Sequence, residues 1–530
     1  MGEGRGMRLT RRTLIAGAAA GLLDGCSHPA MPGTLGGTDM TRGHRLRDGG
    51  FPKPSEERRT DVVIVGGGVA GLSAAWALAD AGIGFRLLEL EDSTGGNARG
   101  GRNAVSAYPL GAHYLPIPNP EATRIIALLE RLGIITGWQG GKPLFDPYQV
   151  VSNPEERLLR LGRWQEGLVP RVALGERDRH DLTAFFAAMK AFRDRRDDGK
   201  PAFAIPIALS SSAADLRALD RISMTEWLDR QGWRSPVLRA HVRYACRDDY
   251  GTEPDQVSAW AGIHYFAGRR GAAADVDGEL VLTWPDGNAH LTRAMAARVR
   301  SSIDTGRIVW RVAREGDGVV VDSYDVASGH STRWHARAAI LATPRFVTAR
   351  LVDGVDATGF RYAPWVVANV TVDRPPGGPG FDLAWDNVSA TSESLGYVVA
   401  NHQSLDTAPG PTVLTWYMPL SKMAPASARR LMLERSLAEW QRFVRDDLLA
   451  TNPDLDGAIR RIDLWRWGHA MIRPEPGFVW GEARTKAAEP RPPLFFAHSD
   501  LSGISIFEEA HHHGAVAAEQ ALAWLQGGRA

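Results

Sequence analysis

The chain has 530 residues, with 62 Lys and Arg against 61 Asp and Glu. A formal net charge of +1 removes any electrostatic case for nucleic-acid binding. Two cysteines, Cys26 and Cys246, are too few for a disulfide framework, while the length is enough for two or more domains.

Residues 8–26 read RLTRRTLIAGAAAGLLDGC, with Arg11-Arg12 ahead of an apolar segment over 14–23. This is similar to a twin-arginine export signal, and Met7 as the start gives a more usual signal length. The segment is too short, and too closely followed by polar sequence, for a good membrane span. Leu23-Asp24-Gly25-Cys26 resembles a lipoprotein processing box, in which Cys26 becomes the lipidated first residue and tethers the protein to a membrane surface. The alternatives are ordinary cleavage near Ala30 or a short uncleaved anchor. Either processing route places the protein in the periplasm or at the outer face of the cell membrane. Cleavage before Cys26 removes Arg5, Arg8, Arg11 and Arg12 against Glu3 and Asp24, taking the net charge from +1 to −1. Cys246 is then the only thiol, expected as a buried structural residue. Residues 27–57, rich in Gly, Pro, Ser and charge, predict a flexible tether.

An apolar run over 62–65 then enters Gly66-x-Gly68-x-x-Gly71. An Ala-rich helix pattern follows over about 72–81, and a second apolar strand ends at Glu89. This is a βαβ unit built to hold a dinucleotide. Gly66 allows the tight strand-to-helix turn, Gly68 lets the backbone approach a pyrophosphate, and Gly71 lets the helix pack on the strand. The helix start at Val69 and Ala70 offers free N–H groups to the phosphates. Glu89 stands 21 residues after Gly68, where its carboxylate accepts the hydroxyls of an adenosine ribose and repels a 2′-phosphate. The pattern alone does not separate NAD from FAD.

The continuation does. Gly95-Gly96 is followed by Asn97, Ala98, Arg99 and Arg102. This segment resembles the second flavin motif of the flavin amine oxidase superfamily, which also holds phytoene desaturases and protoporphyrinogen oxidases. The resemblance implies an α/β fold: a Rossmann-like FAD-binding domain with a discontinuous mixed α+β substrate domain. It sets Gly95, Gly96 and a nearby arginine, Arg99 or Arg102, against the FAD pyrophosphate. Asn97 stands where relatives usually carry the arginine directly after the doublet. Pro109-Leu110-Gly111-Ala112-His113-Tyr114 is similar to a Gly-Ala-His-aromatic segment whose backbone passes near the flavin ring. Gly111 and Ala112 are then cofactor contacts, and His113 and Tyr114 line the catalytic chamber. The plain alternative is a core His and Tyr supporting the turn.

Further matches follow in order. Strand-like runs at 307–312 and 318–321 precede Ala338-Ala339-Ile340-Leu341-Ala342-Thr343-Pro344. By resemblance Val309 packs near the adenine and the strand ending at Thr343 lies under the cofactor. Near the C-terminus, Leu494-Phe495-Phe496-Ala497-His498-Ser499-Asp500 is an apolar strand ending in polar turn residues, and 505–526 reads as a helix. Asp500 matches the acidic residue of the final flavin motif, Phe507 begins the helix that approaches the flavin, and Gly514-Ala515 match its small residues. His498-Ser499 stands where many relatives place a Gly. His511, His512 and His513 are consecutive, about 100° apart on a helix, so no metal site is expected.

Between these matches lie helix patterns at 121–134, 224–245 and 426–450 and strand-like runs at 365–373, 396–401 and 411–417. Aromatics concentrate here, and Trp467 and His469 are the expected flavin-facing wall. Lys422 is the only lysine near a plausible strand end, but it does not match the family's flavin-side lysine. The implied division is a signal over 1–26, a tether over 27–57, cofactor-domain pieces at 58–120, 285–350 and 460–530, and substrate-domain pieces at 121–284 and 351–459. The implied activity is FAD-dependent oxidation of a small amine or another activated C–H substrate, with oxygen or a quinone as acceptor and His113 or His469 as proton shuttle. The rivals are a desaturase or isomerase of an isoprenoid or apolar lipid, a non-catalytic flavin-binding or assembly protein, and an NAD-dependent dehydrogenase. No second fingerprint for a nicotinamide site is present.

Overall fold

The computed structural model describes residues 31–404 and 410–527. The expected export signal, with Arg11, Arg12 and Cys26, lies outside the described residues. Two sheets organise the rest. In the first, Ile303–Asp304, Phe85–Leu88, Glu56–Val65 and Ser331–Leu341 run parallel in that order. Ser331–Leu341 serves two further neighbours. Its first half pairs antiparallel with Gly318–Asp325, which pairs in turn with Arg307–Glu315. Its second half pairs parallel with Leu494–Phe496. Val62, Val63, Ile64, Ala338, Ala339 and Ile340 are fully buried, as strands covered on both faces require.

The helix Val69–Asp80 packs on this sheet and against the C-terminal helix Phe507–Gly527. The two helices meet at Gly514, where an added Cβ would lie 2.1 Å from the Ala70 carbonyl oxygen. Trp76 donates its indole N–H to the Met295 carbonyl (2.8 Å), tying in a third helix, Ala289–Arg298.

The second sheet has eight strands in the order Leu35–Gly37, Ile459–Ile472, Tyr362–Val372, Thr412–Pro419, Tyr397–Val399, Asp386–Ser389, Glu156–Arg160 and Arg163–Glu166. Alternation along its central strands decides what faces what. Val366, Ala368, Val370, Leu414 and Trp416 pack under the helices Pro425–Glu434 and Leu437–Thr451. Their neighbours Trp365, Val367, Tyr417 and Trp467 form a separate cluster on the opposite side. A third layer, the helices Glu176–Asp194, Pro236–Tyr250 and Ala259–Ala267, has its own core of Phe185, Trp227, Leu238, Val242 and Trp260. Cys246 sits in that core, 1% exposed, and takes no part in the cavity described below.

Three boundary expectations are corrected. The stretch expected as a tether over 27–57 holds a strand and a helix within its described part. Leu35–Gly37 adds a parallel edge strand beside Leu464, Trp465 and Arg466, and Met40–Asp48 is a helix capped by Asp39. Its glycines serve close approach rather than freedom: a Cβ on Gly36 would lie 2.6 Å from the Trp465 ring. Residues 121–134 fall in the cofactor core, because Ile125, Ile126, Leu128 and Leu129 pack with Leu72 and Phe85. Residues 460–472 belong to the second sheet, paired along Tyr362–Val372. No described helix is long and apolar enough to cross a membrane.

Candidate active site

A cavity of about 460 Å³ is lined from both sheets. Its cofactor end is made by the glycine turn. Gly66 adopts φ +101°, and Gly71 packs so closely that a Cβ would lie 1.9 Å from the Gly66 carbonyl oxygen. Gly71 therefore seats the helix without reaching the cavity. Gly68, Val69 and Ala70 line it directly, and the first atom a Cβ on Gly68 would meet is Gly96 Cα, 3.8 Å away. The helix Val69–Asp80 has no side-chain cap, so its first N–H groups are free for a phosphate. Gly95 and Gly96, at φ +116° and +56°, bring the second loop alongside.

Glu89 closes the next strand. One carboxylate oxygen accepts the Gly67 N–H (2.5 Å) and the other the Glu91 N–H (2.9 Å). Burial raises its pKa, against which these two bonds and Arg99 act. Asp500 is 1% exposed. Its Oδ2 accepts the Tyr362 hydroxyl (2.5 Å) and the Arg345 N–H (2.8 Å). Its Oδ1 has no donor. The one nitrogen 3.0 Å away, His498 Nδ1, is itself accepting the Asp500 N–H. A buried carboxylate oxygen awaiting a donor, free helix N–H groups and a glycine cradle together fit the hydroxyls and pyrophosphate of FAD. Val309 and Thr343 line the same end, as do Thr38 and Leu46 from the N-terminal segment.

The other expected contacts divide. Asn97, Gly111, Ala112, His113, Tyr114, Trp467, His469 and Phe507 all line the cavity. Asn97 donates its side-chain amide to the Ala470 carbonyl (2.5 Å), and Trp467 its indole N–H to Leu110 (2.5 Å). Arg99, Arg102 and Ala515 do not reach the cavity. The Arg99 guanidinium lies 5.3 and 5.5 Å over the Trp465 and Trp467 rings and 3.4 Å from Glu91, so it braces the doublet loop from behind. Arg102 is solvent-exposed on a short hairpin strand, and Ala515 lies about two turns beyond the start of its helix. The three histidines diverge: His511 Nδ1 meets Ser73 Oγ (2.8 Å), His513 Nε2 meets Ser502 Oγ (2.7 Å), and neither lines the cavity. Among the described residues no cluster is placed to hold a metal ion.

The substrate end is an aromatic enclosure. His113 packs 5.3, 5.8 and 4.9 Å from the Tyr114, Trp385 and Tyr417 rings. Trp365 stacks on Tyr417 at 6.4 Å. His469 stacks on Phe346 at 4.5 Å. Burial drives His113 and His469 down to about 4, so both are neutral at pH 7. Lys422 is 61% exposed and paired with Glu393, outside the cavity.

Four further lining residues went unread in the sequence: Asp248, Asp249, Arg269 and Glu508. Arg269 pairs with Asp249 (2.7 Å) and donates to the Tyr114 hydroxyl (3.3 Å). Burial pushes Asp248 up to about 8 and Glu508 up to about 7. A signal for the aspartates was available. They fall in the last turn of Pro236–Tyr250, where the helix dipole disfavours negative charge.

Comparison with known proteins agrees with this geometry. Residues 69–522 match the family model for flavin containing amine oxidoreductases. A Mycobacterium tuberculosis protein provisionally named a flavin-containing monoamine oxidase is 28% identical over 266 residues, 50% of this chain and 53% of that protein. The chain thus spans about half the length of the curated relatives it matches. A putrescine oxidase double mutant superposes with TM-score 0.67 at 17% identity, covering 88% of this chain and all of that one. A CLA-producing fatty acid isomerase from P. acnes superposes with TM-score 0.60 at 16% identity, covering 87% and 98%. At these identities the likeness shows the fold alone. The chain belongs to the flavin containing amine oxidoreductase family.

Proposed function

We propose that the protein oxidises a small amine. The observation that carries this reading is the continuity of the cavity: one space joins the dinucleotide cradle to a chamber walled by Tyr114, Trp365, Tyr417 and Trp467. When bound, FAD supplies the two-electron acceptor. The amine gives up a hydride from the carbon beside nitrogen and a proton from nitrogen, leaving an imine. Water hydrolyses the imine to a carbonyl compound and the freed amine or ammonia. Oxygen or a quinone then takes the two electrons and two protons. The chain's own residues orient the substrate and exclude water. The neutral nitrogen lone pair assists C–H cleavage, so the chamber needs no strong base. The neutral, buried His113 and His469 suit a wall better than a shuttle, because a ring with a pKa of about 4 takes up almost no second proton at pH 7. A long apolar lipid is disfavoured by Asp248, Asp249, Arg269 and Glu508, which line the same space.

The test is anaerobic visible spectroscopy of the FAD-loaded protein against a panel of amines and apolar C–H donors. Bleaching of the oxidised flavin band by an amine is the expected result. Bleaching only by apolar donors, or by nothing, overturns the amine reading. We also propose export and lipid anchoring through residues 8–26. Replacing Arg11 and Arg12 by Lys should hold the protein in the cytoplasm, and Cys26→Ala should abolish fatty-acid labelling; unchanged fractionation and labelling would refute both.

A further inference from the structure

We propose that residues 34–48 are a strap across the adenosine end of the cavity, with Thr38 and Leu46 as its contacts on the cofactor, so that FAD enters and leaves only when the strap lifts. This rests on the FAD reading of the glycine cradle. The segment precedes the residues that match the family model, so the family likeness gives it no role. Its position does. Thr38 and Leu46 line the cavity together with Glu89, Leu90, Glu91 and Val309. Thr38 is exposed, and its hydroxyl has no partner among the described residues, which leaves it free to bond the dinucleotide whose ribose Glu89 takes.

The strap is tied to both sheets. On one side Leu35–Gly37 pairs with residues 464–466 of the second sheet, and Thr34 Oγ1 donates to Asp463 (2.8 Å). On the other, the Asp39 N–H donates to Glu91 (2.9 Å), and Arg42 donates to the Leu90 carbonyl (3.1 Å) and to Asp92 (2.7 Å). Glu91 in turn donates its own N–H to Glu89 (2.9 Å). One loop therefore carries both the fastening of the strap and the ribose acid.

These ties are light. Neither Leu35–Gly37 nor the helix Met40–Asp48 has a buried residue, and Leu35 and Leu46 are half-buried at the edges of two core clusters. A segment with so few buried apolar contacts opens locally at far less than the cost of unfolding. A pivot follows the helix: Gly49 and Gly50 adopt φ +73° and +80°, and an added Cβ on either would meet nothing within 4 Å. Just beyond them Phe51 stacks on Trp310 (5.6 Å) and holds the chain while the strap swings. Bound FAD adds contacts to the closed strap alone. Flavin therefore slows opening, and opening sets the rate of flavin release.

The experiment reads both halves of that linkage. In amide hydrogen exchange of wild-type protein, residues 35–48 should exchange at least roughly 10-fold more slowly when flavin-loaded than when flavin-stripped. The helix Leu437–Thr451, which does not reach the cavity, should not change. Release of FAD on dilution, followed by flavin fluorescence, should be roughly 10-fold faster from Arg42→Ala, the scale of lost hydrogen bonds to a charged group, and less accelerated from Thr38→Ala. Arg47→Ala, on the same helix but paired only with Asp48 among the described residues, should release FAD at the wild-type rate. Equal exchange with and without flavin overturns the proposal, as does release at the wild-type rate from Arg42→Ala. A rise shared by Arg47→Ala overturns it too, because it reports a loosened helix. The exchange comparison stands even if Arg42→Ala does not fold. A wild-type protein that takes up no FAD refutes the FAD reading, and the strap with it.

Discussion

The cofactor end and the substrate end of the cavity are built by opposite means. At the cofactor end the cradle is backbone, with Glu89 and Asp500 beside it, and most of the critical residues have no side chain: Gly66, Gly68, Gly71, Gly95 and Gly96. At the substrate end the backbone is an ordinary antiparallel sheet and side chains do everything. Shape tolerance should be narrow in the first and broad in the second, whereas sensitivity to charge should be the reverse.

The largest effect tests the first half of that contrast. Gly71→Ala places a Cβ 1.9 Å from a backbone oxygen. It should displace helix or turn at roughly 3 kcal/mol or more and strip most of the flavin, read as the ratio of flavin to protein absorbance. Retained stoichiometric flavin would break the contrast. The next tests charge. Glu508 has a folded pKa of about 7 against an ordinary 4.5, so its neutral form is what the fold accommodates. Its contribution to stability is complete below pH 4.5 and is lost as pH rises through 7, on the order of 3 kcal/mol. Glu508→Gln should flatten the fall in Tm between pH 5 and pH 8; an unchanged slope would locate that loss elsewhere. Smaller is Tyr362→Phe, which removes one donor to Asp500 and should weaken FAD retention by about 1–2 kcal/mol in equilibrium dialysis. Smallest is the wall: Trp467→Phe loses one bond to Leu110, about 1 kcal/mol, and should hold flavin while changing reduction rates. Finally, because His113 and His469 titrate near 4, the pH profile of flavin reduction should show no limb of theirs between pH 5 and 8. A limb there that vanishes in His113→Gln would return that ring to the chemistry.

Legibility in the sequence divided along the same line. The glycine turn and Glu89 were readable because backbone geometry restricts residue type at fixed spacing, whereas the Gly95-Gly96 doublet and Asp500 were reached only through the family resemblance. The helix expected at about 72–81 starts at Val69, and the helix expected at 505–526 spans Phe507–Gly527. Arg99 and Arg102 were misplaced because spacing gives proximity to a loop but not the direction of a long side chain; Arg99 turns toward two tryptophans. The aspartates at 248 and 249 escaped because they come from a helical layer with no motif, brought to the cavity only by tertiary packing. The tether was misread because glycine permits both freedom and close approach, and nothing local distinguishes them.

That segment also sets an order of assembly. Thr34 bonds Asp463 (2.8 Å) and Leu35 pairs with Leu464, partners 429 residues along the chain. Meanwhile Asp39 and Arg42 bond Glu91, Leu90 and Asp92, and Thr38 and Leu46 close over the Glu89 end of the cavity. A strand cannot dock beside residues not yet synthesised. The edge strand Leu35–Gly37 is therefore among the last elements to settle, whereas Asp39 and Arg42, a few residues on, have their partners within the first hundred residues.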